Sequence, residues 1–122
     1  MRRLPAEWEK QQGILLCFPH NGNDWPGKYQ AIQWAFIEFI KKVTTYEHLF
    51  LVVADEGLKT KALEMLKRAH VNLKQISFIL QKTNRSWMRD SGPIIVKNGT
   101  AREALNFNFN EAFKGVVCEG VV

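Results

Sequence analysis

The chain has 122 residues, 46% hydrophobic and 24% charged, and its 17 Lys and Arg outweigh 12 Asp and Glu to give a formal charge of +5. That length can bury one hydrophobic core, and no apolar run approaches the roughly 18 residues of a membrane helix, so a spanning protein is not indicated. The two cysteines, Cys17 and Cys118, give neither a disulfide framework nor metal-ligand spacing, and the basic pairs Arg2-Arg3, Lys41-Lys42 and Lys67-Arg68 are too scattered to mark a nucleic-acid surface.

Residues 14–18, apolar and bounded by Gly13 and Pro19, read as a buried strand. A polar loop follows over residues 19–27. Over residues 28–46, Ile32, Phe36, Phe39, Ile40 and Val43 recur at helical spacing, with Trp34 and Ile37 widening the stripe, which predicts a well-buried helix. Residues 49–54 are rich in β-branched side chains and predict a second strand. Residues 58–69 predict a helix with Leu58, Ala62, Leu66 and Ala69 on one side. Residues 76–80 and 93–97 read as further strands on either side of a loop over 81–92. Asn98-Gly99 signals a hairpin, with residues 103–109 as the returning strand. Strands alternating with helices indicate an α/β unit, a small parallel or mixed sheet flanked by helices, with no internal repeat or linker.

The loop holds the densest set of functional side chains, Ser86-Trp87-Met88-Arg89-Asp90-Ser91-Gly92-Pro93. Trp offers a large flat face, and Asp offers a two-oxygen acceptor that matches a guanidinium fork. Gly92-Pro93 fixes how the chain turns into the next strand. The octet alone suits equally a Trp-anchored turn braced by an Arg-Asp pair.

A second segment points further. Near its N-terminus the chain reads Leu4-Pro5-Ala6-Glu7-Trp8-Glu9, then the apolar strand, then Pro19-His20-Asn21 and Asp24-Trp25-Pro26-Gly27. In that order, and followed much later by Trp87-Met88-Arg89-Asp90-Ser91-Gly92-Pro93, the chain resembles the start of the agmatine deiminase and bacterial peptidylarginine deiminase family. The resemblance runs over residues 4–110, ending at Phe107-Asn108-Phe109-Asn110. It implies a pentein-like α/β-propeller of which residues 1–122 form one N-terminal segment, one blade plus the start of the next.

The same resemblance implies hydrolysis of a guanidine, agmatine to N-carbamoylputrescine and ammonia, or peptidyl arginine to citrulline, without a cofactor. A guanidinium carbon is a poor electrophile, so the reaction needs carboxylates to clamp the N–H fork, an attacking thiolate and an acid–base group. Matching the family motif makes Asp90 the catalytic clamp on the substrate, with Trp87 lining the same pocket. Arg89 either orients Asp90 or reaches the substrate side, and Asp24 stands open as a rim residue. The partner is thus a small guanidino substrate or peptidyl arginine, with no nucleic acid and no membrane. Self-association of a lone blade and a cytoplasmic setting are expected.

Family members also carry a His-x-Asp segment and a nucleophilic Cys after a Gly-rich stretch. None of His20, His48 and His70 precedes an Asp by two residues, and Cys118 has no Gly run before it, so both cysteines read as structural or incidental. The segment Ala112-Phe113-Lys114-Gly115 departs from the Trp-Gly of the family, which leaves a non-catalytic remnant as the reading from another class. His20 with Asn21 and Asp24 could hold a metal, but a loop histidine that caps and hydrogen-bonds is the commoner case.

Overall fold

A computed structural model describes residues 1–83, 86–87 and 92–105. The elements run β1 (Arg2–Arg3), β2 (Ile14–Cys17), α1 (Tyr29–Val43), β3 (Leu49–Val53), α2 (Glu56–Arg68), β4 (Ile76–Leu80), β5 (Ile94–Asn98) and β6 (Ala101–Leu105), with short 3₁₀ turns at Gly22–Asp24 and Leu73–Gln75. Strands β2, β3 and β4 form a parallel sheet in that order, with β3 central. Its register sets Leu16, Leu51 and Phe78 side by side.

The core follows from that register and the two-residue alternation of strand side chains. Leu49, Leu51 and Val53 point to one face, where they cluster with Phe18, Ile37, Ile40, Ala62, Met65 and Leu66. Both helices therefore bury their apolar stripes against the same side of β3. Helix α2 starts at Glu56, earlier than its apolar pattern indicates, because the Asp55 carboxylate accepts from Leu58 N at 2.7 Å and caps it.

The stripe of α1 agrees with the expected one at Ile37 and Ile40 and departs from it at the aromatic residues. Its buried residues are Gln33, Ile37 and Ile40, whereas Phe39 is 50% and Trp34 39% exposed. The helix is rotated so that the Gln33 amide faces inward and donates to the Pro19 carbonyl at 3.0 Å. The same carbonyl also accepts from the Tyr29 hydroxyl at 3.4 Å, so two side chains of α1 hold the Pro19 backbone. Close backbone approach explains Gly13, where a Cβ would stand 2.6 Å from the His48 carbonyl oxygen.

Strands β1, β5 and β6 form a separate antiparallel sheet in the order β1-β5-β6. The expected hairpin is β5–β6, with Asn98 paired to Ala101. Gly99, at φ +63°, takes the first central position of the two-residue loop, where a type II′ turn needs glycine. The returning strand begins at Ala101, two residues before the expected Glu103, and residues 106–109 lie outside the described residues.

Strand β1 has no apolar pattern, and charge holds it in place. Glu9 accepts from Arg3 at 3.1 Å, from Lys97 at 2.6 Å and from Ala6 N at 3.0 Å, while Arg2 pairs with Glu103 at 2.6 Å. The bonds from Arg3 and Lys97 hold the Glu9 carboxyl well below the usual carboxylate range. Among the described residues, no helix is long and apolar enough to cross a membrane.

Candidate functional site

The parallel sheet sends its three C-terminal ends toward one side, which is where α/β sheets place their ligand loops. Strand β2 runs out through Phe18 and Pro19, both fully buried, to His20. Phe18 N donates to Val52 O at 2.9 Å, so the strand is anchored up to this exit. Strand β3 ends beside Asp55, the cap of α2. Beyond β4, Gln81 N donates to Val53 O at 3.0 Å and the chain continues to Thr83, which is only 7% exposed.

His20 and Thr83 meet across the end of β3. The ring Nε2 lies 2.7 Å from Thr83 Oγ1, and the Cys17 thiol lies 3.5 Å from the same oxygen. Burial lowers the pKa of the His20 ring, opposed by the nearby carboxylates of Asp24 and Asp55. Two acidic side chains, one from the loop after β2 and one from the start of α2, thus act on the same imidazole. The loop after β2 is shaped by Asn21, whose side chain accepts from Asn23 N at 3.0 Å and opens the 3₁₀ turn that carries Asp24.

Of the residues expected at the site, the described part of the chain shows two. Asp24 is half-buried near His20, and Trp87 is 40% exposed in the segment that Thr83 begins. Ser86, beside Trp87, is buried, and its hydroxyl has no hydrogen-bond partner among the described residues. Gly92 and Pro93 are half-buried at the entrance to β5. Asp90, Arg89 and Cys118 lie outside the described residues. Trp25, half-buried as expected of a packing residue, keeps an indole N–H that no described group accepts.

Cys17 is fully buried, its sulfur facing Thr83 and the Phe18 carbonyl, which fits a packing role. Among the described residues, no group of three or more His, Cys, Asp or Glu is placed to hold a metal ion. The described chemistry is a half-buried imidazole bonded to Thr83, with the carboxylates of Asp24 and Asp55 near it. Sequence reasoning missed Thr83 and Asp55. The available signal is positional, since His20 and Thr83 each stand three residues beyond the last residue of a parallel strand.

Comparison with known proteins relates the whole segment to a named family. The profile of the family described as Porphyromonas-type peptidyl-arginine deiminase matches residues 3–115. A Selenomonas ruminantium protein provisionally named agmatine deiminase is 32% identical over 108 residues, which cover 88% of this chain and 28% of that protein. The structure of C. jejuni agmatine deiminase superposes with a TM-score of 0.74 at 28% identity, covering 91% of this chain and 32% of that one. A crystal structure provisionally named a peptidyl-arginine deiminase gives the same TM-score of 0.74 at 33% identity, covering 90% of this chain and 31% of that one. The chain therefore spans less than a third of the length of these relatives.

Proposed function

The chain belongs to the Porphyromonas-type peptidyl-arginine deiminase family, and on that premise we propose that a protein carrying it hydrolyses guanidine groups, taking agmatine to N-carbamoylputrescine and ammonia. The observation that carries the reading is the agreement of fold and sequence with C. jejuni agmatine deiminase over 91% of this chain. In this reading Asp90 clamps the guanidinium N–H fork, and Trp87 covers one face of the cation. Arg89 orients Asp90, and Asp24 stands at the rim. A thiolate supplied from beyond residues 1–122 adds to the guanidine carbon, ammonia leaves, and water releases the urea product.

The family description and the 33% identity to the structure named for peptidyl arginine favour a second substrate of the same chemistry, arginine within a peptide. An ammonia-release assay on a protein carrying this segment at family length, offered agmatine and a peptidyl arginine, decides between them. Release from agmatine is expected, release from the peptide alone would reassign the substrate, and release from neither would sink the reading. The 122-residue chain by itself is expected to release none. Release from it that Cys118→Ala abolishes would place the nucleophile within the chain.

The parallel sheet and its two helices are read as one blade of a pentein-like α/β-propeller, with the β5–β6 hairpin starting the next. The exposure of Trp8 at 90%, Phe39 at 50% and Ile94 at 47% supports this, since these are surfaces that neighbouring blades would cover. The isolated chain should then self-associate, and light scattering showing a monodisperse monomer would count against the blade reading.

A further inference from the structure

We propose that the cleft between α1 and α2 binds a small zwitterion of the α-amino-acid class, with its ammonium on Gln33 and Glu64 and its carboxylate on Lys61 and Arg68.

The cleft encloses about 330 Å³, at the small end of the range for ligand sites. Helix α1 lines it with Gln33 and Trp34, and α2 with Lys61, Glu64, Met65 and Arg68. The four residues of α2 fall at helical spacing and so share one face of the helix. Gln33, fully buried, and Met65 form the floor, while Trp34 is 39% exposed at the side.

Gln33 is the group that points to a ligand. Its amide nitrogen is committed to the Pro19 carbonyl at 3.0 Å, which fixes the sense of the amide, because the reverse would set two acceptor oxygens against each other. The amide oxygen is then buried with no hydrogen-bond partner among the described residues. An acceptor buried without a donor is a standing cost, and a ligand N–H in the cleft relieves it.

The rim carries both signs of charge. The described ion pairs are Arg2–Glu103, Arg3–Glu9 and Lys97–Glu9. Glu64 and Arg68 stand one turn apart on α2, a spacing that commonly pairs such residues, yet neither is in that set. Lys61 is drawn toward α1 by the Tyr29 ring, with Nζ 5.2 Å from its centroid. A plain anion would satisfy the two cations but leave Gln33 without a donor and be repelled by Glu64. A plain cation would be repelled by Lys61 and Arg68. A molecule with both charges on one carbon meets both sets, and an aliphatic side chain on that carbon has Trp34 and Met65 to lie against.

Saturation-transfer NMR on the 122-residue chain tests this with L-leucine as the probe, since it reads the ligand and works on an associated chain as well as on a monomer. Isocaproate is leucine without the amine, and isoamylamine is leucine without the carboxylate. L-Leucine should bind about fivefold more tightly than either, the worth of one exposed charge pair. Glu64→Gln and Arg68→Gln should each weaken leucine by about the same factor. Lys67→Gln, at an exposed position of α2 outside the cleft lining, should leave it unchanged. Gln33→Met, which removes the buried acceptor, should weaken leucine as well, with circular dichroism checking that the helices persist. Should that variant unfold, the two rim variants decide.

No saturation transfer to leucine would overturn the proposal. So would isocaproate or isoamylamine binding as tightly as leucine, or rim variants that keep the wild-type affinity. Ammonia release from a guanidine has no bearing on these outcomes.

Discussion

In a protein carrying this segment at family length, Asp90→Asn is expected to lower kcat/KM for the guanidine substrate by roughly 30-fold or more, with the melting temperature nearly unchanged. The exchange keeps the shape of the side chain but turns one acceptor oxygen into a donor, which opposes the N–H groups of the fork. Truncating one partner of a buried charged hydrogen bond costs about 2–5 kcal/mol, and the lower end of that range corresponds to the 30-fold loss. Asp90 lies outside the described residues, between Trp87 and the Gly92-Pro93 entrance to β5. If the Asn variant unfolds while its folded fraction turns over normally, Asp90 is a brace of its loop and the clamp lies elsewhere.

The two expected functions of residues 86–93, clamp and brace, were not separable by sequence because both need the same Arg, Asp and Trp. What separates them is the surroundings, and these are assembled from distant parts of the chain. His20 and Thr83 are 63 positions apart, and nothing local to either announces the contact. The strands were legible because a short apolar run between turn residues has few other uses, and β4 keeps its expected bounds at Ile76–Leu80.

Helix α1 was legible as a helix, and its expected stripe holds at Ile37 and Ile40, which are fully buried, and at Phe36 and Val43, which pack against the core. It fails at Phe39 and Trp34, which stay exposed, and it passes over Gln33, fully buried, and Thr44, at 4% exposure, because hydropathy counts against polar residues. The Gln33 amide nitrogen donates to the Pro19 carbonyl at 3.0 Å and the Thr44 hydroxyl to the Ile40 carbonyl at 2.8 Å, while the Gln33 amide oxygen is buried with no partner among the described residues. Strand β1 was invisible for a related reason. Its two arginines carry no apolar pattern, and the Glu9 and Glu103 carboxylates that hold them lie on other segments.

The largest stability effect should come from the centre of the parallel sheet. Leu51 is fully buried in the middle of β3, with Leu16 on one side in the register and Phe78 on the other, and it belongs to the cluster that receives Ile37, Ile40 and Leu66 from the helices. Leu51→Ala removes the side chain against which both helices and both neighbouring strands converge, and β3 has pairing on each edge that resists collapse into the space left behind. Substitutions of this kind cost about 2–5 kcal/mol, a large share of the roughly 5–15 kcal/mol by which a domain is stable. The urea midpoint should therefore fall steeply while the slope of the transition stays the same. Leu80 is the control, since it lies in the same sheet but is 47% exposed. Leu80→Ala should cost well under half as much, because its side chain already meets solvent. Equal losses at the two positions would mean that helix packing on β3 is not what holds the unit together.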